Sequence, residues 1–211
     1  MSSSHENATE IVDKVTREGI TVDEMINTYK GWAGTYDKDI CDYGRRTPDE
    51  TVSSITRIET DKDSLILDLA AGTGIVGEML RKNGFKNMDA LDASAEMLEI
   101  AKSKNVYNKI FCQFITTEES PNIAENTYDV VACVGAFYPG HLDQTCFPEI
   151  IRILKKGGRF YFTRACHRLK GELEKAVDEM EKNGILKIFE KRLVKNIHTH
   201  GDGYVYVLQK C

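Results

Sequence analysis

LILDLAAGTG (65–74) is the stretch on which the fold turns: an apolar run with one acid inside it, then two glycines separated by a single residue. LILDLA (65–70) reads as a buried strand, and the glycines as a tight turn that delivers the chain into a helix, IVGEMLRKN (75–83). Gly84 stops that helix at the position where a positive φ costs glycine least. Strand, turn and helix in immediate succession form the first unit of an alternating β/α chain.

Downstream the alternation continues. MDALDA (88–93) is a second strand, and Ser94 caps the helix AEMLEIAKSK. IFCQFI (110–115), YDVVACV (128–134) and GRFYFTRA (158–165) supply the third to fifth strands, with PEIIRILKK as the helix between the last two. Leu169, Leu173, Ala176, Val177 and Met180 mark one face of a helix ended by Asn183-Gly184. RLVKNI and YVYVLQ then flank THGDG as an antiparallel hairpin, a closure that a plain dinucleotide fold lacks. Upstream, Thr21 and Glu24 form a capping box, and Met25, Tyr29, Trp32 and Tyr36 recur at helical spacing, predicting a helix over about 22–38. A second helix starts at Thr47 as N-cap with Pro48 at N1 and carries Val52 and Ile55 inward. The polar start MSSSHENATE reads as a frayed tail, giving a division into a flexible tail (1–20), a helical segment (21–62) and a core domain (63–211).

A chain of 211 residues supports one sizeable core, and 41% hydrophobic with 29% charged residues is ordinary for a folded, soluble protein. The net charge of -5, with Lys and Arg scattered, offers no basic stripe for a phosphate backbone, so nucleic acid is disfavoured as a partner. Six cysteines lie far apart without the spacing of a zinc site, which predicts no metal and reduced thiols in the cytoplasm. There is no signal-peptide pattern and no apolar run of membrane-spanning length, so neither export nor a membrane is expected. A monomer is the expected state.

GTGIVG (72–77) also satisfies the dinucleotide fingerprint GxGxxG, so the glycines alone do not choose a ligand. Asp68 discriminates. It ends the first strand four residues before the first glycine, where a dinucleotide would place a doubly anionic pyrophosphate, and a carboxylate there repels phosphate. S-adenosylmethionine carries no phosphate but an ammonium and a sulfonium, both of which an acid favours. On this reading Gly72 and Gly74 let the backbone approach the ligand, and the carbonyl of Ala70 takes the ammonium. Asp92, at the end of the second strand and next to Ala93, accepts hydrogen bonds from a ribose diol. Met97 is read either as core or as lying against the adenine face, and Thr116 and Thr117 either as an adenine-edge contact or as an ordinary loop. Gly135 and Ala136 floor the pocket near the methyl group, with Val134 as a backbone contact.

DLAAGTG, LDAS (91–94), ENTYDVVACVGAF (125–137) and LKKGGRFYFT (154–163) together resemble class I S-adenosylmethionine-dependent methyltransferases, in order and in spacing. YKGWAGTYD (29–37), VGAFYPGHL (134–142) and FPEIIRILKKGG (147–158) further resemble the Williams-Beuren syndrome region group of methyltransferase-like protein 27. The resemblance spans about residues 25–211. It implies an α/β Rossmann-like sandwich with a seven-stranded, mostly parallel sheet ending in an antiparallel hairpin, and N-terminal helices as a lid. It also implies S-adenosylmethionine as cofactor, with S-adenosylhomocysteine as product. One departure is Lys156, where the family motif before strand five has proline; Gly157 and Gly158 still supply the turn.

Methyl transfer by in-line displacement needs alignment and exclusion of water more than special side chains. A general base helps when a hydroxyl is the acceptor, and the candidates are His141, after strand four, and Tyr36, on the lid and against the cofactor. Against these stand a merely solvated histidine and a packing tyrosine. His198 and His200 read as surface residues. The string after strand four, VGAFYPG, differs from the Asn/Asp-Pro-Pro-aromatic motif of nucleic-acid amino-methyltransferases, and clustered metal-binding acids are missing there. A small-molecule acceptor comes first, then a protein side chain; a cofactor-binding module without catalysis and a nicotinamide oxidoreductase are the readings of other classes.

Overall fold

The computed structural model describes residues 8–42, 46–120, 122–166, 171–198 and 201–211. Its centre is a seven-stranded sheet of order β3-β2-β1-β4-β5-β7-β6. The strands are β1 (Ile66–Leu69), β2 (Met88–Asp92), β3 (Lys109–Cys112), β4 (Tyr128–Cys133), β5 (Leu154–Ala165), β6 (Leu186–His198) and β7 (Gly201–Lys210). β3, β2, β1, β4 and β5 run parallel, whereas β7 is antiparallel to both β5 and β6. This is the α/β sandwich with a terminal hairpin that the sequence predicts.

Every residue of β1 is buried, as expected of a central parallel strand covered on both faces. Alternation sends Ile66 toward one face, with Val130, Ala132, Val76 and Leu80, and Leu67 and Leu69 toward the other, with Val131, Ile150 and Phe160. On the first face lies α5 (Ile75–Lys82), with α4 (Arg46–Ile58) beside it through Val52 and Ile55. α7 (Phe147–Ile153) and α8 (Glu172–Lys182) contribute to the second, where Phe160, Phe162 and Tyr206 stack in succession. α6 (Ala95–Ser103) follows β2, with Ser94 as its N-cap.

Several expected boundaries move, each for a local reason. Residues 8–16, read as tail, form α1 (Ala8–Thr16), whose Val15 is buried with Ile20 and Met25; residues 1–7 lie outside the described chain. The helix expected over 22–38 is two helices, α2 (Val22–Trp32) and α3 (Tyr36–Asp42). Gly34 weakens the helix, and Thr35 opens the next one by donating its hydroxyl to Asp39, which also accepts from Trp32 Nε1. α4 starts at Arg46, so Thr47 lies inside it and gives its hydroxyl to the carbonyl of Ile197 rather than capping. β3 stops at Cys112, three residues before the expected end, because its pairing with β2 ends at Asp92. α7 ends at Ile153, and Lys155 and Lys156 belong to β5. Leu169, His200 and the side chain of His198 fall outside the described residues.

Glu59, just past α4, fixes that helix to the sheet: its carboxylate accepts from Arg159 at 3.0 and 3.1 Å and from the Tyr161 hydroxyl at 2.5 Å. Glu59→Ala leaves both donors on β5 without their acceptor. The expected loss is about 2–3 kcal/mol, read as a lower urea midpoint at unchanged slope.

Candidate functional site

Strand order reverses at β1, whose two neighbours β2 and β4 lead away in opposite directions, and a crevice opens beyond the carboxyl ends of these strands. The N-terminal helices roof it, leaving a cleft of about 890 Å³. From the core, Ala70, Gly72, Asp92, Ala93, Met97, Val134 and Gly135 reach its wall; from the roof, Met25, Ile26, Tyr29 and Tyr36 do. His141 closes one side, on the loop after β4.

Asp92 organises the floor. One carboxylate oxygen accepts the Gly72 amide at 2.8 Å and the other the Ser94 amide at 2.8 Å, so a single side chain sets both the glycine loop and the start of α6. Burial raises its pKa, while the amides of Ser94, Gly72 and Ala93 pull the other way. Gly72 (φ +55°) and Gly135 (φ +70°) both have open space where a Cβ would stand, so the wall beyond β1 and β4, to one side of Asp92, is bare backbone at these two positions. Ala70 takes a left-handed conformation, φ +57°, at the turn out of β1, an uncommon state for a residue with a Cβ.

Two expected ligand residues stand outside the lining of the cleft. Asp68 does not line the cleft: alternation along β1 turns its side chain into the layer beneath α5, where it is buried and accepts the Tyr107 hydroxyl at 2.5 Å. Gly74 does not line it either; a Cβ there would stand 3.0 Å from the Tyr107 ring. Gly77 is tighter, at 2.3 Å from the Tyr107 oxygen. The second and third glycines of GTGIVG thus make room for a tyrosine thirty residues downstream. Tyr107 had no signal in the local pattern, since its reason lies in a tertiary contact. Burial pushes the Asp68 carboxyl up to about 7 against the lowering effect of the Tyr107 and Gly77 bonds. The carboxylate that faces the cleft is therefore Asp92, and the charge argument passes from the first acid to the second.

Thr117 is exposed and away from the cleft, as is Thr116, whose hydroxyl oxygen accepts the Glu118 amide. Because β3 ends at Cys112, the residues that reach the wall are Gln113, Phe114 and Ile115. Met97 is both core and wall, 2% exposed and lining the cleft.

The roof is tied down by polar links and ring packing. Asp37, on α3, accepts the Thr73 hydroxyl of the glycine loop and pairs with Lys104 at 2.6 Å, and Lys104 also reaches Glu78 at 2.8 Å. Lys30 on α2 pairs with Glu96 on α6 at 2.8 Å. Tyr36 packs edge-on against Trp32, with ring centres 4.6 Å apart, and burial raises its hydroxyl well above the ordinary phenol value.

Beyond His141 lies a second cleft of about 940 Å³, lined among others by Glu18, Tyr138, Asp143, Arg164 and Glu172. Gly140, His141 and Leu142 belong to the walls of both. Gly140 (φ +77°) permits this partition, because a Cβ there would stand 2.5 Å from Ile20. Among the described residues no group of three His, Cys, Asp or Glu side chains could hold a metal ion.

A methyltransferase-domain family model matches residues 66–158, from β1 through the turn of β5. Human methyltransferase-like protein 27 is 31% identical over 168 residues, covering 77% of this chain and 68% of that protein. The chain belongs to the class I S-adenosylmethionine-dependent methyltransferases. The methyltransferase is also 24% identical to a ubiquinone biosynthesis O-methyltransferase of Hydrogenovibrio crunogenus, over 71% of this chain and 59% of that protein. The match thus spans between three-fifths and about two-thirds of these relatives' lengths. Among solved structures, the fold matches the complex between the Haloferax volcanii Trm112 methyltransferase activator and a methyltransferase, with a TM-score of 0.67 at 18% identity, covering 86% of this chain and 95% of that one. It also matches a Thiobacillus denitrificans methyltransferase in complex with S-adenosyl-L-homocysteine, with a TM-score of 0.54 at 15% identity, over 77% and 91% of the two chains. S-adenosylmethionine is the methyl donor of the family. A cleft with a carboxylate on its wall and bare glycine backbone beside it fits that cationic, phosphate-free molecule.

Two variants test this layout. Gly77→Ala drives a methyl group into the Tyr107 ring, with an expected loss of about 1–3 kcal/mol in a denaturant titration. For Asp68, the folded pKa lies above the unfolded one, so the folded state binds more protons between about pH 4 and 7. Its contribution is full below that window and declines as pH rises through it. Asp68→Asn should remove a slope of up to about 1.4 kcal/mol per pH unit, seen as the difference between the two stability–pH curves.

Proposed function

We propose that this chain transfers the methyl group of S-adenosylmethionine to a small-molecule acceptor, with the first cleft holding the cofactor and the second admitting the acceptor. The observation that carries the reading is the shared wall: the second cleft meets the first at Gly140–Leu142, beside Val134 and Gly135 at the end of β4. Bound S-adenosylmethionine supplies an electrophilic methyl group on a positive sulfur. In this reading Asp92 accepts from the ribose hydroxyls, Ala70 and Gly72 present backbone to the methionine end, and Met97 and Ile115 pack against the base. Ala93 and Val134 complete the contact surface, and Tyr36 covers the cofactor from α3. Residues 21–62 then act as a lid, held by the Asp37 links, and the turn between α1 and α2 extends it, with Glu18 on the second cleft and Ile20 against Gly140.

The half-enclosed, partitioned clefts favour a small acceptor over a protein side chain, and among the described residues the lining of the second carries Glu18, Asp143 and Glu172 against Arg164, which disfavours nucleic acid. All six cysteines are unpaired, in keeping with a reducing cytoplasm, and no helix among the described residues is long and apolar enough to cross a membrane.

Asp92→Ala should weaken S-adenosylmethionine binding by about 1.5–3 kcal/mol in calorimetry, roughly ten- to 150-fold in Kd, through lost hydrogen bonds to a charged group. An unchanged Kd would place the ribose contact elsewhere, and tight binding of NAD in place of S-adenosylmethionine would overturn the assignment of the cleft.

A further inference from the structure

Tyr29 reaches from α2 across the cleft and places its hydroxyl oxygen 2.9 Å from Nε2 of His141. The other imidazole nitrogen, Nδ1, lies 3.1 Å from the carbonyl oxygen of Pro139. A carbonyl only accepts, so Nδ1 carries the ring hydrogen and Nε2 of the neutral ring is an acceptor. The Tyr29 hydroxyl therefore donates to Nε2, and its oxygen retains lone pairs for another donor. Both residues line the first cleft, and His141 also stands on the wall shared with the second.

The geometry points to a proton relay for an acceptor hydroxyl: the acceptor gives its proton to the Tyr29 oxygen while Tyr29 passes its own to Nε2 of His141. The inference rests on the function proposed above and narrows it to O-methyl transfer. A neutral amine attacks with its lone pair and loses its proton afterwards, whereas a hydroxyl needs its proton removed as the new bond forms. The acceptor oxygen bonds to the methyl carbon, the carbon–sulfur electron pair stays on sulfur, and the proton ends on His141. The resulting imidazolium keeps its Nδ1 hydrogen on Pro139 and returns the other through the Tyr29 hydroxyl to solvent once the methylated product has left the first cleft.

The surroundings suit a relay better than a tyrosinate base. Burial, with Tyr36, Asp92 and Tyr138 nearby, holds the Tyr29 hydroxyl well above the ordinary phenol value, so the oxygen does not rest as an anion. Trp32 stacks against Tyr29 with ring centres 6.0 Å apart, and Tyr138 stands edge-on to His141 at 6.1 Å, fixing both rings. From the second cleft Glu18, Asp143, Glu172 and Arg164 face the histidine side of the pair.

The test uses full-length protein saturated with S-adenosylmethionine. Two-bond ¹H–¹⁵N spectra should show His141 as the Nδ1–H tautomer, and radiolabelled methyl should pass into hydroxyl-bearing molecules of a low-molecular-weight cell extract. His141→Gln should cut that rate by about 10²–10⁴ and abolish the rise in rate with pH, and Tyr29→Phe should cut it at least about tenfold. An Nε2–H tautomer, a His141→Gln variant with the wild-type rate and pH profile, or label found on amines or thiols overturns the relay and leaves the proposed function standing. Wild-type protein that fails to bind S-adenosylmethionine, or labels only protein, overturns the reading beneath it.

Discussion

The hydrogen bond from the Gly72 amide to the Asp92 carboxylate joins the loop that leaves β1 to the end of β2, and the rest of the site is arranged around it. The same side chain holds the Ser94 amide, which starts α6, and α6 leads to Lys104 just past its end. Lys104 and Thr73 both hold Asp37, so the position of the roof is set through two routes from one carboxylate. A charged group in a half-enclosed cleft is costly unless it is bonded. Two backbone amides offset that cost while leaving lone pairs directed at whatever occupies the cleft.

The roof is held differently from the core. The sheet is clamped by two continuous apolar layers, whereas α1 and α2 share only a small cluster of Val15, Ile20 and Met25. Their ties to the core include the Tyr29–His141 hydrogen bond and ion pairs such as Lys30–Glu96, with both partners more than a third exposed, and such exposed pairs contribute little each. Ties of this kind are weaker than the apolar layers of the sheet, which on the proposed reading of this segment as a lid suits a cofactor that must enter and leave.

Much of this was legible in the sequence because strand burial and glycine turns are local properties. The five parallel strands, the hairpin and Asp92 follow from apolar runs and their punctuation. What escaped depends on contacts between distant residues. Asp68 looked like a cleft residue because strand ends point at ligands, yet alternation turns it inward onto Tyr107. The helix over 22–38 looked continuous because its apolar spacing carries across Gly34, while the bond of Thr35 to Asp39 that restarts it depends on side-chain geometry. Thr117 was placed by an overlong third strand, whose end is fixed by its partner rather than by its own residues. Tyr29 was visible as a packing residue, and its hydroxyl gains a role only once His141 stands opposite, 112 positions later.

The Ile20–Gly140 contact and the Tyr29–His141 bond tie the start of the chain to the loop after β4. On a ribosome, α1 to α3 emerge ahead of Thr73, Glu96, Lys104 and His141, the residues of the core on which they dock. Chains are synthesised at about 5–20 residues per second, so these helices spend several seconds before their partners in the core are made. The helices of the roof thus precede in the chain the residues of the core that hold them, and the cleft becomes a cleft only after the loop following β4 has left the ribosome.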